Sequence, residues 1–360
     1  MMHVLMISLD ADALKRNSSV AQRLRRYAGY LGRLSVVVYT PAKNLKAVKM
    51  GKLVVYPSNS GTKFSFPLDA MRTGSLIHDK NPVNFIVSQD AHSTGLAGLM
   101  LKRKYRVPLQ VQLHGDYINN KWWISTPFHR MLNALAVKIV KRADSVRVVS
   151  RRVEKRVRAL GVRNIIRIPI PVNVKRFEKS GSARIAGFPI FLFVGRLSAE
   201  KNVGLLINAF ADLKHEFPKS RLVIVGDGGE KSRLMALARK LADGRVVFVG
   251  KADPAPYYKA ATCLVLPSLH EGWGLVAVEA SSAGCPVVMS DVGCAGEIIV
   301  NNKSGLVFPV NNGRKLAEAM RMVAKSENLG KRLACKAKKL ILKLPSEEKS
   351  IKMLVESWKP

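Results

Sequence analysis

Two carboxylates, Glu271 and Glu279, lie eight positions apart around a glycine-rich turn. Residues 263–267 before them form a short apolar run that is typical of a buried strand, and Gly284 with Pro286 after them ends a helix. The pattern therefore predicts Glu271 in a loop between a strand and a helix, and Glu279 inside that helix. Carboxylates so placed can accept hydrogen bonds from the hydroxyl groups of a ligand.

The start of this helix offers a site for an anion. Its first backbone N–H groups have no partner within the helix and lie at the positive end of the helix dipole, which suits a diphosphate. They belong to Gly274, Leu275 and Val276. Carboxylates beside that anion bind neutral hydroxyl groups, so we expect Glu279 to bind a ribose and Glu271 a sugar. The plainer alternative is a capped loop with a solvated glutamate.

A second strand and turn supply positive charge. Residues 191–194 are apolar, and Gly195, Arg196 and Lys201 follow them ahead of a helical pattern over 203–213. Arginine can bind phosphate oxygens through two N–H groups and lysine acts as a point charge, as a diphosphate leaving group requires. Taken alone, Arg196 or Lys201 would be more typical of a solvated surface charge than of a phosphate ligand.

The chain here resembles the retaining glycosyltransferases of family 4, which have the GT-B fold. The resemblance covers most of residues 188–325 and rests on motifs in the family's order, namely Gly195-Arg196-Leu197, Glu200-Lys201-Asn202, Val225-Gly226-Asp227-Gly228, Glu271 to Glu279, Gly284-Cys285-Pro286, 291–297 and Gly305-Leu306-Val307. It implies catalytic roles for Arg196, Lys201 and Glu271, and donor-binding roles for Gly195, Gly226 and Lys251. Base recognition is expected around residues 250–254, largely through the backbone.

The amino-terminal half resembles the family more weakly. A strand-like run over 109–113 leads to His114, which the resemblance places beside the donor sugar and the acceptor, with Asp116 on the acceptor side. The glycine pair that many members have after the first strand is missing. Ser18 or Ser19 is expected instead to cap the next helix and to offer a hydroxyl and N–H groups to an acceptor or phosphate.

The same loop contains Asp10-Ala11-Asp12, the DxD spacing by which another glycosyltransferase class holds a divalent metal. No other cluster of ligand residues accompanies this pair in the sequence. Arg196 and Lys201 already supply cations for the leaving group. We therefore predict no metal site and no cofactor besides the nucleotide-sugar substrate.

Strand-like runs alternate with helical stretches, which predicts parallel βαβ units and two Rossmann-like, doubly wound α/β domains. The resemblance implies that these face each other across a cleft. The expected strands are 4–9, 34–39, 84–88, 109–113 and 146–149, then 190–194, 221–225, 246–249, 263–266, 287–289 and 306–308. We predict an acceptor-side domain at 1–172, a linker at 173–188, a nucleotide-sugar domain at 189–345, and a last helix, 346–360, that packs back on the first domain.

The charge is strongly positive and uneven. The 360 residues carry a formal net charge of +35, and residues 1–180 hold 33 Lys and Arg against 9 Asp and Glu. The basic clusters lie at 102–104, 138–142 and 151–158, with Trp122-Trp123 between them. Such a face could rest on an anionic membrane at ~1 kcal/mol per cation, although a solvated basic face is the simpler interpretation.

The chain shows no apolar run near the ~20 residues of a membrane span, and its start lacks the pattern of a signal peptide. We expect a cytoplasmic protein, peripheral at most on the inner face of the plasma membrane. Its four cysteines contain no CxxC pair and are expected to be reduced packing residues.

The sequence thus predicts a metal-independent, retaining transfer of a hexose from a nucleoside diphosphate sugar to a hydroxyl of a cell-envelope glycan or glycolipid. GDP-mannose, UDP-glucose and UDP-N-acetylglucosamine remain open as donors. A nucleic-acid-binding protein is an alternative because the pI is near 10.4, but zinc spacing and an RNP-type strand are missing, so no specific nucleic acid is expected. A non-catalytic nucleotide-sugar binder would need a broken donor motif.

Overall fold

A computed structural model describes residues 2–41 and 44–359 of the chain. They divide into two compact units, Met1–Pro169 with Glu347–Pro360, and Ile170–Ser346. Each unit contains its own β-sheet. No helix in the described ranges is long and apolar enough to span a bilayer.

The first unit has an eight-stranded sheet in the order β3-β4-β2-β1-β5-β6-β7-β8, in which only β3 runs antiparallel to its neighbour. Its strands are β1 His3–Ser8, β2 Arg33–Val38, β3 Val48–Met50, β4 Leu53–Pro57, β5 Phe85–Ser88, β6 Leu109–Leu113, β7 Ser145–Val148 and β8 Ile165–Arg167. Its helices are α1 Ser19–Gly29, α2 Phe66–Lys80, α3 Ser93–Tyr105, α4 Pro127–Val140 and α5 Arg151–Arg158.

Both faces of this sheet are covered, because alternate residues of a strand point to opposite faces. Along β1, Leu5 and Ile7 belong to a core that also contains apolar residues of α2, α3, α4 and α5. Val4 and Met6 belong to a second core with residues of α1 and of the carboxyl-terminal segment. Residues 4–7 of β1 are therefore apolar without a break, as in parallel strands between two helical layers.

The second unit has a six-stranded parallel sheet in the order β11-β10-β9-β12-β13-β14. Its strands are β9 Ile190–Val194, β10 Arg221–Val225, β11 Val246–Gly250, β12 Cys263–Leu266, β13 Val287–Ser290 and β14 Leu306–Phe308. Its helices are α6 Val174–Glu178, α7 Val203–Leu213, α8 Lys231–Leu241, α9 Ala255–Ala260, α10 Leu275–Ser282, α11 Gly313–Lys325 and α12 Glu327–Ile341.

The two doubly wound sheets confirm the predicted fold class, but some elements differ. The sequence missed β3, β4 and β8, of which β3 and β8 are three-residue strands at sheet edges, too short for a clear pattern. Residues 173–188, expected as a linker, lie in the second unit and contain α6. That segment is anchored because Phe177 is buried against the ring of Tyr258, 5.9 Å away. Positions 1 and 360 of the predicted domains fall outside the described residues.

The last helix, α13 Glu347–Glu356, packs in the first unit, where Trp358 just beyond it is fully buried. The Trp358 indole Nε1 donates a hydrogen bond to Gln110 Oε1 on β6, at 3.0 Å. Its ring meets Tyr27 of α1 edge-on, with the centroids 5.9 Å apart. One aromatic side chain thus fastens the end of the chain to the central sheet.

Replacing Trp358 by alanine should remove about 3 to 5 kcal/mol from the free energy of unfolding, because it empties a large buried volume and removes one of the two hydrogen bonds that Gln110 Oε1 accepts, the other coming from Gln112. Urea denaturation followed by circular dichroism measures this. Trp122→Ala, at a half-buried position, is the matched control and should cost less. Equal losses in the two variants would contradict the described packing of the chain end.

Candidate functional site

The site in the second unit is built at one edge of its sheet. Strand β9 lies between β10 and β12, and β11 lies beyond β10. Because these strands are parallel, their carboxyl ends meet at the same edge, and the loops that follow them lie side by side. The motifs at 195–202, 226–228, 251–254 and 267–274 are those loops, as the sequence predicted.

Two of these loops touch through their backbones. Gly195 N–H donates to Val225 O at 3.0 Å, and Leu197 N–H donates to Asp227 O at 2.9 Å. A Cβ atom on Gly226 would lie 1.9 Å from Gly195 O, and the φ angle of Gly226 is 144°. Only glycine can occupy that position, so the motif glycine is required by the contact between the loops.

A pocket of about 620 Å³ opens beside this contact, and Gly195, Arg196, Gly226 and Lys251 are among its lining residues. The Arg196 side chain is exposed, and within the described ranges it makes no ion pair or hydrogen bond. Asp227, which also lines the pocket, has its pKa lowered by the N–H of Gly228 and by Lys231. The pocket therefore presents two cations and exposed backbone to a ligand.

The third cation, Lys201, is bound to the first carboxylate. Lys201 Nζ lies 2.5 Å from Glu271 Oε1, and both side chains are mostly buried. Ser268 Oγ donates to the same oxygen at 2.8 Å, and the N–H of Leu269 donates to Glu200 O at 2.8 Å. The loops after β9 and β12 are thus joined, and the two residues that the sequence assigned separately to phosphate and sugar form one ion pair.

The anion site predicted at a helix start has the expected backbone. Helix α10 begins at Leu275, and Gly274 precedes it with a φ angle of 79°, which favours glycine. The N–H groups of Gly274, Leu275 and Val276 make no backbone hydrogen bond with another described residue. They remain available to an anion at the same sheet edge as the pocket.

The second carboxylate, Glu279, lies on α10 and is held by a tyrosine. Tyr258 of α9 donates its hydroxyl to Glu279 Oε2 at 2.9 Å. Burial raises the pKa of Glu279, and burial together with the Glu279 charge raises the pKa of Tyr258. Arg176 of α6 lies close enough to oppose the shift of Glu279. The carboxylate is therefore oriented before a ligand arrives.

In the first unit, His114 follows β6 and its side chain is exposed. The ring Nδ1 lies 3.2 Å from Nη1 of Arg147, a residue of β7 that is 5% exposed. Arg147 also donates through Nη2 to Ile168 O at 2.7 Å. His114 keeps an exposed edge, but the protein packed around the rest of the ring removes much of its solvent. This loss of solvent, together with the charges of Arg147 and Arg23, lowers the pKa of His114, so its imidazole is neutral near pH 7.

Asp116 and Ser18, also predicted on the acceptor side, make ion pairs or hydrogen bonds within their own unit. Asp116 is buried, lies 2.7 Å from Arg156 Nε, and accepts from Asn120 Nδ2 at 3.0 Å. Ser18 caps α1 by accepting from Ala21 N–H at 3.0 Å, as predicted, and donates to Asp12 O at 2.6 Å. These bonds leave Ser18 no hydrogen for an acceptor. Ser19 is the exposed first residue of α1.

The two aspartates of the DxD spacing are also engaged locally. Asp10 Oδ1 accepts from the N–H of Asp12 at 3.1 Å, and Asp12 pairs with Lys15 at 2.7 Å. Within the described ranges, no three His, Cys, Asp or Glu side chains are grouped to hold a metal ion.

Sequence reasoning missed Tyr258, Arg147 and Ser268. Tyr258 stands 21 residues before the carboxylate that it holds, and Arg147 stands 33 residues after the histidine that it contacts. No local spacing connects such pairs. A charged residue in the otherwise apolar run of β7 was the available signal for Arg147.

The two doubly wound sheets, together with the site at the strand ends of the second one, define the GT-B class of glycosyltransferases. The profile "Glycosyltransferase Family 4" matches residues 20–176, and "Glycosyl transferases group 1" matches residues 174–340. The chain belongs to this family. Sucrose-phosphate synthase of Thermosynechococcus elongatus has the same fold, with a TM-score of 0.84 and 21% identity over 99% of this chain and 98% of that one.

Sequence relatives are similar over part of their length. Glycogen synthase of Mycobacterium tuberculosis is 30% identical over 233 residues, which cover 62% of this chain and 56% of that protein. Alpha-monoglucosyldiacylglycerol synthase of Acholeplasma laidlawii is 26% identical over 244 residues, 61% of each chain. The chain thus spans somewhat more than half the length of these relatives.

Gly226→Ala should separate the two backbone loops, because its Cβ would overlap Gly195 O. We expect a lower melting temperature and at least a tenfold loss of nucleoside diphosphate binding in calorimetry. Gly229→Ala is the matched control, since a Cβ there meets no atom within 4 Å. Normal nucleotide binding by Gly226→Ala would show that the loop contact does not shape the pocket.

Proposed function

We propose that this protein transfers a hexose, with retention of anomeric configuration and without a metal ion, from a nucleoside diphosphate sugar to a hydroxyl of a cell-envelope glycan or glycolipid. The observation that carries the proposal is the pocket in the second unit, where Arg196 and Lys251 line the space beside two touching glycine loops. Family membership supports a sugar-nucleotide donor.

In the proposed donor site, different residues bind the diphosphate, the ribose and the sugar. The diphosphate binds Arg196, Lys201 and the free N–H groups at the start of α10. Glu279, held by Tyr258, accepts hydrogen bonds from the ribose. Glu271 neutralises Lys201 and turns its second oxygen, which has no hydrogen-bond partner among the described residues, to the sugar.

In the proposed reaction the bond between the anomeric carbon and the β-phosphate oxygen breaks, and its electron pair stays on the diphosphate. The acceptor oxygen forms its bond on the same face of the sugar, and its proton passes to the departing diphosphate. Negative charge develops on that diphosphate in the transition state. Cations fixed beforehand at that place lower the barrier directly.

Glu279→Ala should weaken nucleoside diphosphate sugar binding by roughly 10- to 100-fold, because a hydrogen bond to a charged group contributes about 1.5 to 3 kcal/mol. Tyr258→Phe should cause a smaller loss, since it frees the carboxylate without removing it. Calorimetry with GDP-mannose, UDP-glucose and UDP-N-acetylglucosamine measures both effects, and identifies the donor.

Glu318→Ala is the control. It changes a half-buried glutamate on α11 that pairs with Lys315, and it should bind donor normally. The same titrations and the turnover assay are repeated in excess chelator, where binding and activity should persist. Unchanged affinity in Glu279→Ala would remove that residue from the ribose site. Activity lost in chelator and restored by manganese would overturn metal independence.

The surface of α4 supports an acceptor presented at a membrane. Phe128 and Met131 are 52% and 61% exposed, and Lys138 continues the same face at helical spacing. Residues 117–143 contain five Lys and Arg and no Asp or Glu. An apolar stripe among unopposed cations fits an anionic lipid surface. The name of the Acholeplasma laidlawii relative denotes a glucosyldiacylglycerol synthase.

One tryptophan and two arginines of the basic face first considered make contacts within the fold. Trp123 is stacked between His92 and His129, with centroid distances of 5.4 and 4.8 Å. In the 151–158 cluster, Arg156 pairs with Asp116, and Arg158 pairs with Glu154. The exposed face of α4 is therefore the better docking element.

Reversing the charges of Lys121, Arg130 and Lys138 to glutamate should abolish sedimentation with anionic vesicles at about 0.1 M salt, since each cation near the surface contributes ~1 kcal/mol. Reversal of Arg332, Lys336 and Lys339 on α12 changes the net charge equally and should leave sedimentation intact. Equal loss in both variants, or strong discrimination among nucleic-acid sequences by the native protein, would contradict the membrane proposal.

A further inference from the structure

The contact between Arg147 and His114 restricts what the histidine can do. Arg147 Nη1 and His114 Nδ1 are 3.2 Å apart, a hydrogen-bond distance. A guanidinium carries N–H donors only, has no lone pair to offer, and keeps its charge in proteins. The bond therefore forms only when Arg147 donates and Nδ1 of His114 accepts.

An accepting Nδ1 fixes the proton of the neutral ring on the other nitrogen, because a neutral imidazole has one donor and one acceptor. His114 thus carries its hydrogen on Nε2. The exposed ring makes no hydrogen bond through Nε2 with any other described residue. One N–H donor is left for a ligand, and no lone pair is left to take up a proton.

The groups around this pair favour the neutral ring. Arg147 is 5% exposed. The positive charge of Arg23, on α1, lowers the pKa of both His114 and Arg147. Tyr27 of α1 is the group that raises the pKa of Arg147, and burial raises the pKa of Tyr27 itself. No carboxylate is among the groups that shift His114. A second positive charge on the ring would therefore be unfavourable.

We propose that Arg147 is a positioning residue that holds His114 as the neutral Nε2–H tautomer, so that His114 donates a hydrogen bond to a sugar oxygen and is not the base of the reaction. The role of His114 rests on the proposed function, whereas the tautomer rests on the contact alone. A His114 that cannot accept a proton agrees with the proposed reaction, in which the departing diphosphate takes the proton of the acceptor hydroxyl.

Nitrogen-15 NMR of protein labelled at its histidines tests the tautomer without any substrate. The His114 signals are those absent from His114→Gln. We expect an unprotonated Nδ1 and a protonated Nε2 that persist from pH 8 to pH 5. In Arg147→Met the ring should populate both tautomers. Its pKa should rise toward the ordinary value of roughly 6.5 but stay below it, because the loss of solvent and the charge of Arg23 remain. Arg147→Lys keeps a charged donor and should retain the native signature.

Arg23→Met is the matched control, because it removes a neighbouring charge that makes no hydrogen bond to His114, and it should keep the native tautomer. A protonated Nδ1 or an imidazolium at pH 7 in the native protein overturns the proposal. So does an unchanged spectrum in folded Arg147→Met. If that variant does not fold, the spectra of the native protein and of Arg147→Lys decide.

The pH profile of turnover tests the chemical role. Native kcat/KM should show no acidic limb that belongs to His114, whereas in Arg147→Met a limb should appear at the raised pKa that the NMR titration of that variant gives for His114. A native limb that follows the His114 titration would make it the base and overturn the proposal. Absence of any turnover alongside the expected NMR signature would instead refute the proposed function and leave the tautomer standing.

Discussion

The approach of two backbone turns, at Gly195 and Gly226, is the constraint on which the candidate site of the second unit depends. The two loops exchange hydrogen bonds at a distance that leaves no room for a side chain at position 226. Because they follow neighbouring parallel strands, their contact shapes the pocket edge and places Arg196 beside exposed backbone. If the loops were held apart, Arg196 and the backbone at Gly226 would not line one pocket.

The charged groups of the two units are balanced in different ways. In the second unit Lys201 is neutralised by Glu271, and Glu279 is held by a neutral hydroxyl, so the buried carboxylates are already oriented. In the first unit Arg147 is buried beside a histidine and a backbone carbonyl, without a carboxylate partner among its contacts. A buried cation of this kind strengthens every hydrogen bond that it donates and disfavours a second charge nearby.

The basic residues of the first unit differ in whether a carboxylate pairs with them. Part of the α5 cluster is committed to internal ion pairs, and Asp116 is buried in one of them. The segment around α4 has no acidic residue to oppose its cations, and it exposes two large apolar side chains. The ion pairs of the fold therefore decide which basic side chains face the surface without a carboxylate partner. A count of basic residues does not give this information.

The sequence by itself determined the fold class, most of the strands, and the loops that carry the glycine and charged motifs of the second unit. It could do so because apolar strand runs, turn glycines and helix starts are local signals, and parallel strands bring their carboxyl ends to one edge. Short edge strands and the segment at 173–188 escaped, since packing against distant residues such as Tyr258 decides them. Only the tertiary structure paired Lys201 with Glu271, gave Glu279 its tyrosine and placed Arg147 on His114. Those partners stand 21 to 70 residues apart in sequence, and nothing in local spacing records a contact made by the sheet.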